Sequence, residues 1–377
     1  MSIPVFFAPQ QLLHRPSHEW MRGERVANPE CHSRAELILD ALDRSGRFTL
    51  REPVRVPHEA IAQLHDPALL RVLANAERVL EEGVEVIPST FPGGRERRAD
   101  PENLRHLGAF VTDTGTPFSR HTLAAAQWSA AAAESAALLV RDTGERLAYA
   151  VSRPPGHHAS ATHFGGYCYF NNAALAARTL PGRVALLDID FHHGNGTQEL
   201  FWEDDRVYFA SLHGDPRTCY PFHWGHPDEV GGGRGKGFNL NVPLPLGTDG
   251  QAYLHALDAL VIPKIKAFAP ESVVLSAGLD TYVGDPMGGF TLTREDLHQV
   301  GVRVGRLGLP TVVVQEGGYL LAELGANAVA LLEGVAEGLR RSPSRPSVAA
   351  SGPAGSSAEA REEGNTTNPL VPSCTCE

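Results

Sequence analysis

Short segments with an unbroken apolar centre recur along the chain, and they restrict its fold more than any other feature. They are IPVFFA near the start, then RLAYAVS, RVALLDID, RVYFASL, SVVLSAG and TVVVQ. A strand with one wet face alternates polar and apolar residues. A run that is apolar at every position is covered on both faces, as strands of a parallel sheet are. Between the runs, residues 33–44, 67–82, 123–140, 171–179, 251–268, 293–307 and 322–340 have helical patterning. The stretch 123–140 is strongly alanine-rich and stops near Gly144. The expectation is an α/β fold, a three-layer αβα domain with a mostly parallel central sheet.

Two stretches stand outside that alternation. Residues 88–121 contain FPGGRERRADPENLRHLG, rich in Pro, Gly and charge, and are expected to form a long functional or interface loop. From Ser342 onward large apolar residues almost vanish, so the segment cannot offset its own ordering entropy. Residues 1–341 are therefore assigned to the folded domain and 342–377 to a disordered tail.

Composition excludes several classes. The net charge is -11, which gives no global attraction to nucleic acid or to an anionic membrane. Cys31, Cys168, Cys219, Cys374 and Cys376 are an odd, scattered set and suggest reduced thiols. No signal peptide is evident, and no stretch of 18 residues is free of charge or breaker. A cytoplasmic enzyme without a nucleic-acid or membrane partner is the expectation.

In open α/β sheets, function gathers at the carboxyl ends of the strands. Here RLAYAVS leads into RPPGHHA, RVALLDID into FHHGNGTQ, RVYFASL into HGDP, SVVLSAG into LDTYVGDP, and TVVVQ into EGGY. In the second of these, period-two alternation puts Asp188, Asp190 and His192 on one face. Carboxylates rarely end a buried strand without a partner. Asp190 and His192 alone fit a hydrogen-bonded structural pair, and Asp280 alone fits a helix cap. Gathered at one sheet edge, two Asp and one His suit a first-row metal with an open coordination position. Arg153-Pro-Pro-Gly-His157-His158 presents adjacent imidazoles, suited to general acid–base chemistry. Glu316-Gly317-Gly318-Tyr319 offers a phenol that can donate to a developing oxyanion. His163, His193 and His213 are expected to support structure.

Taken together, RPPGHHA, GGYCYFNNAA, LDIDFHHGNGTQ, FASLHGDP and QEGGY resemble the histone deacetylase superfamily with its arginase-like fold. The likeness runs from about residue 2 to about residue 340 and is nearer to bacterial acetylpolyamine amidohydrolases and class II-type deacetylases. It implies a deacetylase acting on linear amides, with Zn²⁺ on Asp190, His192 and Asp280. Ligand types alone also admit Fe²⁺. It implies His158 as general base, His157 as a charged partner oriented by Asp188, and Tyr319 as the donor to the acetyl carbonyl. It implies a structural K⁺ beside Asp188 and Ser211. Asn195 stands where some branches have Asp, which implies a less basic His158.

Gly166, Tyr167 and Tyr220 match the substrate tunnel, with Phe222 a competing second wall. Tyr at 167 is the polyamine-branch residue. Acetylated polyamines or small acetylamines are the implied substrates, and protein N-acetyl-lysine is the alternative. Glu102 and Asp113 are acidic candidates for meeting a cationic amine in the 88–121 loop, against Arg95, Arg97 and Arg98. The resemblance further implies a homodimer or other homo-oligomer. An idle metal-binding module and a two-metal arginase-type hydrolase fit the motifs less well.

Overall fold

The apolar runs pair edge to edge as parallel strands. The structure, a computed structural model, describes residues 2–92 and 99–342. In chain order the first half holds β1 (Ile3–Phe6), β2 (His18–Met21), β3 (Glu24–Ala27), α1 (Ser33–Ser45), β4 (Phe48–Arg51), α2 (His58–Ala62), α3 (Pro67–Val79), α4 (Thr122–Thr143), β5 (Leu147–Ala150) and α5 (Asn172–Thr179). The second half holds β6 (Val184–Asp188), α6 (Asn195–Leu200), β7 (Val207–Gly214), β8 (Asn239–Leu244), α7 (Gly250–Ala256), α8 (Ile262–Phe268), β9 (Ser272–Ala277), α9 (Arg294–Gly305), β10 (Thr311–Gln315) and α10 (Leu321–Arg341).

The main sheet has eight strands in the order β4-β1-β5-β10-β9-β6-β7-β8, and all its neighbours are parallel. Helices cover both faces, as the double-sided apolar runs require. Alternate residues of one strand enter opposite cores. Leu186 and Val312 pack with the alanines of α4, whereas Leu187 and Val313 pack with Ile38, Val300 and Leu331. By length and composition α4 could cross a membrane, yet most of it is buried inside the domain.

Sequence patterning misses the elements that are not buried on both faces. Edge strand β4 (FTLR) is mostly exposed, and edge strand β8 (NLNVPL) is half-buried and polar in places. The antiparallel β2–β3 hairpin lies apart from the main sheet. The helix expected over 251–268 is divided by a π-turn, Leu257–Val261, just before Pro263, which has no N–H for the α pattern. The 88–121 loop includes a short 3₁₀ turn, Leu104–Ala109. Arg95, Arg97, Arg98 and the proposed tail from 343 onward lie outside the described residues.

Helices α9 and α10 follow β9 and β10, the strands that lead into Asp280 and Tyr319. Their backbones touch. A Cβ on Gly301 would fall 2.2 Å from the Leu331 carbonyl oxygen, and one on Gly334 would fall 2.1 Å from the His298 carbonyl oxygen. Neither obstacle is a flexible side chain. Gly334→Ala should therefore destabilise the protein by about 1–3 kcal/mol, despite the roughly 1 kcal/mol that alanine gains in helix propensity. A urea midpoint equal to the parent's would show that the helices can separate freely.

Candidate active site

Strand β6 ends inside the sheet, where Asp188 lies opposite Ser211 of β7 and Ser276 of β9. Its Oδ1 accepts the Asp190 N–H at 3.0 Å, and its Oδ2 accepts from His157 Nδ1 at 3.0 Å. The chain then turns, with Asp190 Oδ1 accepting the His192 N–H at 2.8 Å. Asp280 arrives from the end of β9, and its Oδ1 accepts the Phe191 N–H at 2.8 Å. His192 Nδ1 lies 3.3 Å from Asp190 Oδ1 and 3.1 Å from Asp280 Oδ2.

One ligand atom from each of Asp190, His192 and Asp280 falls within 4.8 Å of the others. The electrostatics fit a cation there. Burial disfavours charge on His192, but its bonds to Asp190 and Asp280 outweigh that and lift it to about 10. Burial first, and Asp190 next, push Asp280 up to about 7. The cluster demands positive charge, met by a shared proton or by a metal ion, and its donors suit a divalent first-row metal. His157, Cys168 and Glu316 form a second cluster of ligand types. There His157 Nδ1 is bonded to Asp188, and burial pushes the Cys168 thiol well up, which disfavours a thiolate ligand.

The paired histidines are driven apart. Burial lowers His157, but Asp190 and Asp188 overcome it and raise the ring to about 10. His158 is pushed well below its ordinary value, by burial first and then by the positive neighbours His157 and His192. One imidazole is thus charged near neutrality and the other neutral. His158 Nδ1 lies 2.7 Å from Asn195 Oδ1, at the start of α6. An amide oxygen only accepts, so Nδ1 carries the proton and Nε2 is the free base. Gly166 lies directly against this ring. A Cβ there would fall 2.1 Å from His158 Cδ2, and its φ is +52°.

Every residue of Glu316-Gly317-Gly318-Tyr319 is anchored. Glu316 Oε2 accepts the N–H groups of Gly156 at 2.7 Å and His157 at 3.1 Å, and Oε1 accepts from Ser276 Oγ at 3.2 Å. The Gly317 N–H donates to Asp190 Oδ2 at 2.9 Å. Buried Arg34 donates to the carbonyls of Gly318 at 2.7 Å and Glu316 at 2.5 Å. Its guanidinium lies 4.7 Å from the centre of the Tyr319 ring, and Glu30 bridges it to Arg153. Asp285 Oδ2 accepts the Tyr319 N–H at 2.6 Å.

At the mouth, the rings of Tyr167 and Tyr319 lie 5.8 Å apart. The Tyr220 ring lies 5.0 Å from His158, edge to face. Tyr220 donates its hydroxyl to Asp113 Oδ2 at 2.8 Å, and the same oxygen accepts the Gly166 N–H at 2.6 Å. Phe222 lies outside it, 51% exposed, with its ring 6.2 Å from that of Tyr220. Tyr167 donates to Glu19 Oε1 at 3.3 Å. Burial, aided by Asp113, raises Glu19 to about 6.

The structure thus gathers Asp190, His192, Asp280, His157, His158, Tyr319, Asp188, Asn195, Gly166, Tyr167 and Tyr220 around one centre. Glu102 is elsewhere, exposed and 3.6 Å from Arg78. His163 is partly exposed beside Thr162, while His193 and His213 are buried behind the site. Sequence reasoning assigned no role to Glu316, although its motif was in view, and it passed over Arg34, Glu30, Asp285 and Glu19. Glu19 is on the unforeseen hairpin, and no local pattern marks the others.

A family model described as histone deacetylase domain matches residues 28–335. Acetylpolyamine amidohydrolase 2 of Pseudomonas aeruginosa is 39% identical over 345 residues, covering 89% of this chain and 99% of that protein. Among solved structures, an acetylpolyamine aminohydrolase from Burkholderia pseudomallei superposes with a TM-score of 0.84 at 38% identity, covering 89% of this chain and 99% of that one. The HDA15 HD domain superposes with a TM-score of 0.75 at 27% identity, covering 89% and 90%.

Glu316 is buried with no basic side chain bonded to it among the described residues, and burial raises its pKa to about 7, above the ordinary 4.5. The folded state therefore holds this proton more tightly than the unfolded state. Its contribution is favourable below about 4.5 and is lost as pH rises to about 7. In chelator-treated protein, Glu316→Gln should gain Tm relative to the parent across that interval. A Tm difference independent of pH would show that the carboxylate is already ionised at the acidic end.

Proposed function

The chain belongs to the histone deacetylase family, and from that premise we propose a zinc-dependent deacetylase of acetylated polyamines or small acetylamines. That it is an amide-hydrolysing deacetylase follows from the family and its relatives. The single observation that supports the finer reading is the pairing of the ligand cluster with two adjacent histidines of opposite protonation.

Zn²⁺ held by Asp190, His192 and Asp280 would supply Lewis acidity and an activated water. The chain's own residues account for the rest. His158, neutral with Nε2 free, takes up a proton and returns one to the leaving amine. Asn195 holds its tautomer. His157, kept charged by Asp190 and Asp188, stabilises the negative charge that develops at the carbonyl. Tyr319, fixed by Arg34 and Asp285, donates its hydroxyl to that oxygen. Gly166, Tyr167 and Tyr220 wall an alkyl chain and exclude water.

The K⁺ assignment beside Asp188 and Ser211 is supported by hydrogen-bond direction. His213 Nε2 faces the Gly225 carbonyl oxygen at 2.9 Å, so that nitrogen donates. Burial lowers His213 to about 4, so Nδ1 is bare and accepts from Ser211 Oγ at 2.8 Å. The Ser211 lone pairs are left for a cation.

A cationic substrate is supported by buried Glu19 and half-buried Asp113 beside the tunnel tyrosines, two carboxyls that would attract a free ammonium. Exposed Trp20, Met21 and Phe91 support the homodimer reading. Free cysteines Cys31, Cys168 and Cys219 support the reading of a reduced, cytoplasmic compartment.

Turnover of N-acetylputrescine, N-acetylcadaverine and acetylspermidine should exceed that of an acetyl-lysine peptide. A clear preference for the peptide would reject the polyamine reading and favour the protein-deacetylase alternative. Chelation should abolish activity and added Zn²⁺ should restore it. Turnover that persists in metal-free protein would sink the metal assignment.

A further inference from the structure

Two consecutive prolines, Pro154 and Pro155, precede the paired histidines, and neither has a backbone N–H to give. The first donors after them belong to Gly156 and His157. Both go to one atom, Glu316 Oε2, at 2.7 Å and 3.1 Å. On its other side the turn is pressed against the chain that enters α5. A Cβ on Gly156 would fall 2.6 Å from the Phe170 carbonyl oxygen and 2.5 Å from the Asn172 backbone nitrogen. Glu316 is fully buried, and its Oε1 accepts from Ser276 Oγ of β9 at 3.2 Å. Among the described residues, no other hydrogen bond joins residues 153–158 directly to residues 315–319.

Those two segments carry His157 and Tyr319. Each group has its own orienting bond, His157 Nδ1 to Asp188 and the Tyr319 N–H to Asp285. Such bonds aim each group but leave the spacing of the two segments open. An indirect link runs through Asp190 Oδ2, which accepts the Gly317 N–H at 2.9 Å. That oxygen lies 3.8 Å from His157 Nε2, too far for a hydrogen bond. The spacing is therefore set by the Glu316 side chain. The loop has no slack beside it, since a Cβ on Gly317 would fall 2.6 Å from both Asp190 Oδ2 and Asp280 Oδ2.

We propose that Glu316 is a positioning residue for the deacetylation. It ties the His157 turn to the Tyr319 loop, so that the imidazolium and the phenol reach the same carbonyl oxygen. This rests on the roles given above to His157 and Tyr319, and Glu316 acts only through them. The tie needs acceptors and not charge. A glutamine oxygen can accept both backbone N–H groups, and its amide can donate to Ser276 Oγ. Without the side chain the two segments can drift, and a shift of about 1 Å in such a donor costs about a hundredfold in rate.

The test uses the zinc-loaded full chain and a fluorogenic acetyl-lysine amide, whose signal reports cleavage of the acetyl amide itself. Glu316→Ala should lower kcat about a hundredfold while KM stays within about threefold. Glu316→Gln should recover most of that loss. In a Tyr319→Phe background, Glu316→Ala should cost less than about tenfold, because one of the two donors it places is already gone. Where Glu316→Ala does not fold, as judged by thermal unfolding, Glu316→Asp takes its place, since its carboxyl stops one methylene short of the turn. An unchanged kcat in that variant would overturn the proposal. So would a loss confined to KM, equal losses with glutamine and alanine, or losses that simply add to that of Tyr319→Phe. A kcat untouched by Tyr319→Phe alone would instead reject Tyr319 as the oxyanion donor, and the tie would lose its purpose with it.

Discussion

A carboxylate with no access to solvent ends strand β6, and the site is arranged around answering its charge. Asp188 cannot remain ionised there without partners. It accepts the Asp190 N–H on one oxygen and His157 Nδ1 on the other. The first bond bends the chain so that Asp190 and His192 leave the sheet toward Asp280. The second fixes the ring and tautomer of His157 and keeps it protonated. One buried charge thus orients both the ligand cluster and the first of the paired imidazoles.

The same low-dielectric interior separates two histidines that are neighbours in sequence. Their ring centres are 4.0 Å apart, and two imidazolium charges at that distance would repel strongly. His157 has carboxylates beside it and takes the proton. His158 has a neutral amide behind it and cations in front, and stays a base. Asn195 matters because it orients His158 without charging it.

The loop that bears Tyr319 is held by groups far away in sequence. Glu316 clasps the backbone of Gly156 and His157, Gly317 donates to Asp190, and Arg34 reaches from α1 to grip two of the loop's carbonyls. The glycine contacts between α9 and α10 bring the elements flanking that loop together. Tyr319 is thus positioned by contacts from both halves of the domain.

The sequence by itself determined the layered α/β fold, because unbroken apolar runs can be buried only between two helical layers. It also determined where the chemistry lies, because Asp188, Asp190, His192, His157, His158, Asp280 and Tyr319 all follow such runs and parallel strands end on one edge. Strands β4 and β8 escaped it, because an edge strand open to water has no continuous apolar signal. Only the tertiary structure decided which residues answer which charges. Glu316 beside the paired histidines, Arg34 under Tyr319, Asp113 clasping both Gly166 and Tyr220, and Glu19 from a separate hairpin are contacts across long stretches of chain. Such contacts leave no periodicity in the sequence, since they depend on how strands are ordered in the sheet and how closely the helices can pack over it.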